Sequence, residues 1–198
     1  MYWKASWVGS LFSIMTSLTG IDAIVFYGVL LFDEDFRGQG IAILYFFNFA
    51  AAAVGFGLLY VAGRKTLVLI MQIVMIISLV GMWYFESVER NQTLLIIVVC
   101  IFICAFEFAH GNIVWIYISE ICNDKATSIA IVVQYLLMLG SAFFGPYMIN
   151  KWLPDGKTWI FFAVISFLFL FYIIFGMKET KGKSDEEVKK LYYPKDKT

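Results

Sequence analysis

The chain has 198 residues, 61% of them hydrophobic and 15% charged, with 15 basic side chains balanced by 15 acidic ones. Soluble domains hold roughly 45–50% apolar residues, so this composition, with a mean hydropathy of +0.80, excludes a soluble globular protein. The expected partners are lipids and other membrane-protein chains, with no nucleic acid.

Six apolar runs follow in chain order, covering 6–31, 40–62, 67–85, 93–119, 127–149 and 158–176. Each is long enough for the roughly 20 residues that a helix needs to cross the hydrocarbon core. None shows the two-residue alternation of a barrel strand, and lipid demands that every backbone group be paired within the protein. The expected fold is therefore an all-α integral membrane bundle of six transmembrane helices. The first run carries Gly20, Asp22 and Tyr27 and is too long for a signal-peptide core, so it is expected to stay in the mature protein. Connections of about four to eight residues make consecutive helices antiparallel neighbours.

Asn91-Gln92-Thr93 is a glycosylation sequon at the mouth of the fourth run, expected to lie too close to the membrane for use. Cys100 and Cys104 sit one turn apart within that run, and Cys122 follows it. They lack metal-ligand spacing and read as small buried hydrophobes. No cofactor or metal is expected. Residues 1–177 read as a membrane domain and 178–198 as a polar tail, where Ser184 and Glu187 have the spacing of a capping box for a short helix. A lysine-rich end of this kind frays unless a contact ties it down, and such a contact is expected here.

Charge gives the orientation. Lys4, Arg64, Lys65, Lys125 and the tail lysines fall on one side, against Arg37, Arg90, Lys151 and Lys157 on the other. The positive-inside rule then places both termini in the cytoplasm, or in the matrix if the membrane is mitochondrial.

Four stretches, in order, resemble the C-terminal half of sugar porters of the major facilitator superfamily, the family of the facilitative glucose transporters. TSLTGID at 16–22 is similar to the seventh-helix pattern, GRKTL at 63–67 to the Gly-Arg turn after the eighth helix, FEFAHGNIVWIYISE at 106–120 to the tenth-helix motif, and KETKG at 178–182 to the signature after the twelfth. The resemblance covers essentially the whole chain. It implies a sugar ligand, with Asn48, Glu107 and Trp115 on family positions that line the sugar pocket. It further implies an inner-face motif made by Gly63, Arg64, Lys65, Glu120 and Glu179. Polyols need directional donors and acceptors plus an aromatic face, which suits these residue types.

The departures matter as much. Thr16 and Ser17 replace a glutamine pair and Asp22 replaces an asparagine. Tyr60 and Thr127 replace charged residues of the inner network, which thins it. His110, Asn112 and Val114 stand where prolines would bend the tenth helix, so the backbone is expected to stay hydrogen-bonded there. His110, one turn from Glu107, is expected to bond to it, either as a polar relay or as a local structural contact. Charged groups within a span cost about 2.5–3.5 kcal/mol on insertion scales, so Asp22 and Glu107 need partners. They read either as a substrate or proton site or as hydrogen-bonded carboxyls inherited from an ancestor.

Family members hold the substrate between two six-helix halves, and this chain matches one. The sequence offers no nucleophile–base pair, metal cluster or phosphate loop, which argues against an enzyme. It leads to an accessory or structural subunit of a larger membrane complex, with the inner mitochondrial membrane or the plasma membrane as its setting. The alternative is one half of a split hexose or polyol facilitator.

Overall fold

The computed structural model describes residues 3–192, without the side chains of 3–6, 29, 59–61, 185 and 189. Residues 193–198, where the sequence places the end of the tail, and the Tyr60 side chain lie outside this description.

The first span is not one helix. It divides into α1 (Trp3–Leu18) and α2 (Ile21–Tyr27), which meet at a bend of 41°. Gly20 makes the bend: its φ of 93° is left-handed, and a Cβ there would sit 2.9 Å from the Phe162 ring. Both requirements favour glycine. A 3₁₀ turn at Gly28–Leu30 ends α2.

The other five spans are long enough and apolar enough to cross a membrane individually, which makes six with the bent pair. They comprise α3 (Arg37–Val61), α4 (Arg64–Trp83), α5 (Gln92–Phe106) continuing into α6 (Ile113–Ile121), α7 (Asp124–Tyr147) and α8 (Lys157–Gly176). Single π-helical turns at Tyr84–Val88 and Met148–Trp152 extend α4 and α7. A third, at Glu107–Gly111, joins α5 to α6. Asn91 of the sequon caps α5, its side chain accepting from Leu94 N at 3.1 Å. Asn123 caps α7 in the same way through Ala126 N, at 2.9 Å.

Packing places α4 between α5 and α8, α1 against α7 and α6, and α3 against α5 and the Glu107–Gly111 turn. Two core clusters result. One gathers α2, the far half of α4, α5 and the start of α8 around Leu79, Leu95, Phe102 and Trp159. The other gathers α1, the start of α4, α6 and the end of α8 around Phe12, Val68, Tyr117 and Ile173. Phe106 belongs to the first and Ala109 to the second, so the π turn sits at their junction.

After Gly176 the chain forms α9 (Asp185–Tyr192), where Ser184 N donates to Glu187 Oε2 at 2.8 Å and Glu187 N donates to Ser184 Oγ at 3.4 Å. This reciprocal pair is a capping box. Val188 and Tyr192 of α9 are buried in the second cluster. Tyr192 and Tyr117 share a hydroxyl contact, and Lys178 N donates to both oxygens at 3.1 and 3.0 Å.

The spans differ greatly in burial: 17% of the apolar stretch of α3 and 11% of that of α7 are covered, against 56% for α5–α6. Large side chains such as Phe46, Phe49, Tyr135 and Phe143 point outward. Lipid tails are as apolar as these side chains, so close packing and polar contacts, more than water exclusion, hold such a bundle together.

Candidate functional site

The polar centre of the molecule is the π turn at Glu107–Gly111 and the face of α3 that it touches. Asn48 Nδ2 donates to Glu107 Oε1 at 3.0 Å, joining α3 to the end of α5. Both residues are half-buried. Asn48 borders a cavity of about 180 Å³ between α2, α3 and α5, whose walls include Ile24, Phe26, Leu44, Tyr45 and Ile103. The bond uses one amide proton and one carboxyl oxygen, leaving Asn48 Oδ1 and Glu107 Oε2 for further hydrogen bonds. Asn48 thus brings an amide to walls that are otherwise mostly apolar and aromatic, and Glu107 is tied to the cavity through its bond to Asn48.

Two glycines allow this approach. A Cβ on Gly111 would lie 2.3 Å from Glu107 Oε2, so the carboxyl rests over that residue. A Cβ on Gly55 would lie 2.4 Å from Asn112 Nδ2 and 3.2 Å from Glu107 O, so α3 comes close to the turn only because residue 55 has no side chain.

The other expected site residues lie elsewhere. Trp115 is half-buried against the second core cluster, further along the span from Glu107. Thr16 and Ser17 are each 2% exposed. The Thr16 hydroxyl donates back to Phe12 O at 2.9 Å, and Ser17 Oγ has no hydrogen-bond partner among the described residues. Both belong to the interior of the bundle. Asp22 stands in the first turn of α2, half-buried, with Oδ2 buried and unpaired among the described residues.

One expectation for the tenth-helix motif requires correction. His110 does not bond to Glu107: its Nε2 lies 2.7 Å from Gln72 Oε1 on α4, because the π turn carries the imidazole to the interior side of the span. Gln72 Nε2 in turn donates to Ser166 O at 2.9 Å, so the consistent assignment has His110 donating through Nε2–H. Where proline is missing the span stays helical, with a π turn in place of the α register. The register shifts at Glu107–Gly111, and Asn112 N donates to Ala109 O. Gln72 and Asn112 thus make contacts that the motif did not assign. The signal for Gln72 was its being an uncharged polar side chain within an apolar run, which needs a partner wherever it lies.

At the end of the bundle where α4 begins and α8 ends, the Gly63 turn makes a second polar centre. Glu179 accepts from Arg64 N at 2.8 Å, Lys65 N at 3.1 Å, Thr180 N at 3.1 Å and Lys181 N at 3.0 Å. Gly63, the residue preceding α4, has no capping side chain, so the Glu179 carboxylate caps α4 from the far end of the chain. A Cβ on Gly63 would fall 2.4 Å from Glu179 Oε2. Arg64 Nη2 reaches Glu120 Oε1 at 3.3 Å, and Lys65 Nζ donates to Ile174 O at 2.7 Å. Partial burial pushes the Glu179 carboxyl up, but the four N–H donors outweigh it and hold the group below the usual carboxylate range. Despite the substitutions at positions 60 and 127, Gly63, Arg64, Lys65, Glu120 and Glu179 meet in one cluster.

Residues 2–192 match the profile of the family described as "Sugar (and other) transporter". The chain is 29% identical to the arabinose-proton symporter of Bacillus subtilis over 96% of its own length and 43% of the relative's. It is 30% identical to the facilitated trehalose transporter Tret1 of Drosophila virilis over 87% of its length and 20% of the relative's. Among solved structures, a double-tryptophan mutant of XylE superposes with a TM-score of 0.86 at 22% identity, covering 96% of this chain and 43% of that one. The inward-open xylose transporter XylE of E. coli gives 0.84 at 22% identity, covering 96% and 42%. The chain spans less than half the length of these relatives, and its fold is that of a six-helix half of a major facilitator transporter. It is a multi-pass integral membrane protein, and it belongs to the sugar (and other) transporter family.

Proposed function

We propose that this chain supplies one half of a sugar transporter, with Asn48 and Glu107 presenting hydrogen-bonding groups to a hexose or related polyol at the junction with a second six-helix half. The observation that carries the reading is the Asn48–Glu107 bond beside the α2–α3–α5 cavity. The relatives named as arabinose, trehalose and hexose transporters agree with that substrate class. The sparsely covered faces of α3 and α7 are the surfaces on which the second half would sit, and Asp22 would add an acceptor from α2. Both termini then lie on the cytoplasmic or matrix side.

The test is uptake of labelled hexoses by the protein isolated from its own membrane with its partner chains and reconstituted in liposomes. Saturable uptake that falls in Asn48→Ala and Glu107→Ala supports the proposal. A second reading, an accessory subunit of a larger membrane complex such as one of the inner mitochondrial membrane, draws on the same exposed faces and on the substitutions at Thr16, Ser17 and Asp22. It predicts stable co-purification with chains of unrelated fold and no uptake.

A further inference from the structure

The span that carries Glu107 changes register without a proline, and two side chains account for it. Asn112 Nδ2 donates to Glu107 O at 2.9 Å and to Ala52 O of α3 at 3.3 Å, while its own backbone N–H turns back to Ala109 O. In a regular helix a carbonyl takes the backbone N–H four residues on, and in a π turn the one five residues on. Here the Asn112 side chain supplies the donor for Glu107 O and also ties the turn to α3. Within the turn, His110 is completely buried, bonded to Gln72 and stacked on Phe106 with ring centroids 5.9 Å apart. Gln72 carries the connection on to Ser166 O of α8. The turn is thus fixed on one side to α3 and on the other to α4 and α8. Neither His110 nor Asn112 opens onto the cavity beside Asn48.

We infer that His110 and Asn112 are positioning residues. They hold the π turn in the register that brings the Glu107 carboxyl to Asn48, and so set the affinity of that pair for a hydroxylated substrate without touching it. The inference rests on the reading of Asn48 and Glu107 as a polyol site. Side-chain bonds to neighbouring helices do the work that a helix-breaking proline does by removing a donor.

Two measurements test it, and only one of them involves a sugar. With Cys100, Cys104 and Cys122 replaced by alanine, Asn48→Cys and Glu107→Cys are joined by a short bifunctional thiol reagent in native membranes. Cross-linking is expected to fall about tenfold when Asn112→Ala or the isosteric Asn112→Asp removes the donor, as for loss of one strong hydrogen bond. It should fall similarly in His110→Leu and recover in His110→Gln, which keeps an N–H donor. Equal cross-linking in the Asn112 variants and their parent would overturn the inference.

In the uptake assay, Asn112→Ala should raise the hexose KM about tenfold and add no further rise in a Glu107→Ala background. A purely structural role would lower the amount of folded protein and Vmax in both backgrounds, which would also overturn the inference. If the unmodified protein takes up no sugar, the polyol reading fails, while the cross-linking result still decides the positioning role.

Discussion

Glu179→Ala removes an acceptor shared by four backbone N–H groups, two of them in the first turn of α4, where the preceding Gly63 offers no cap. A lost cap costs about 1 kcal/mol and up to about 2. Bonds to a charged acceptor are worth about 1.5–3 kcal/mol each when fully buried. Glu179 is only partly buried, so water recovers much of that, and the sum comes to about 2–3 kcal/mol. For a domain of this size each kcal/mol moves Tm by about 2–4 °C, so Glu179→Ala should lower Tm by about 5–10 °C. Thermal unfolding of the purified protein followed by tryptophan fluorescence reads this directly. Glu179→Gln keeps the three bonds now made to Oε1 and turns an amide N–H towards Lys65 N, so it should lose about half as much. A Glu179→Ala protein melting with the unmodified one would refute the idea that this carboxylate caps α4.

Further outcomes follow from the same contacts. Gly63→Ala places a Cβ against Glu179 Oε2 and should destabilise comparably; the two changes combined should cost little more than either alone, which a double-mutant comparison of Tm checks. The contribution of Glu179 depends on pH because its folded carboxyl titrates below the ordinary value of about 4.3. It is complete above that value and lost as pH falls through the folded pKa. The Tm gap between the unmodified protein and Glu179→Ala should therefore be constant at neutral pH and close in acid, as a Tm series across pH would register. His110→Leu leaves Gln72 Oε1 buried without its partner and should cost about 1–3 kcal/mol. Adding Gln72→Leu should return part of this, measurable by the same melts. Val188→Asp buries a carboxyl beneath α9 and should raise hydrogen exchange over Asp185–Tyr192 while leaving α4 and α8 protected.

The spans were legible because membrane crossing imposes a long apolar run, and five of the six stand as single spans close to where hydropathy puts them. The break in the first was not legible. An isolated glycine in such a run looks like any small residue, and what makes Gly20 a bend is the Phe162 ring from the last span. The meeting of Asn48 with Glu107 was reachable through the family motif alone, since nothing in local periodicity relates positions 48 and 107. The π turn was invisible because its side-chain partners lie on α3 and α4: absence of proline permits an α-helix of unbroken register, and the structure has instead a π turn whose Asn112 and His110 bond to those neighbouring helices. The same holds for Glu179. Its motif suggests an acidic partner for a basic turn, whereas the carboxylate binds the backbone N–H groups of that turn and leaves Glu120 to meet the Arg64 guanidinium.

The proposed pairing of Asn48 and Glu107 on a sugar, within one half of a transporter, underlies the uptake predictions. Its most direct test is hexose uptake into liposomes by the protein isolated with its native partner chains, comparing the unmodified form with Asn48→Ala and Glu107→Ala. Saturable uptake is expected in the first, with a KM raised about tenfold or more in each variant, as for a lost hydrogen bond to substrate. No uptake, or uptake indifferent to both substitutions, would contradict it.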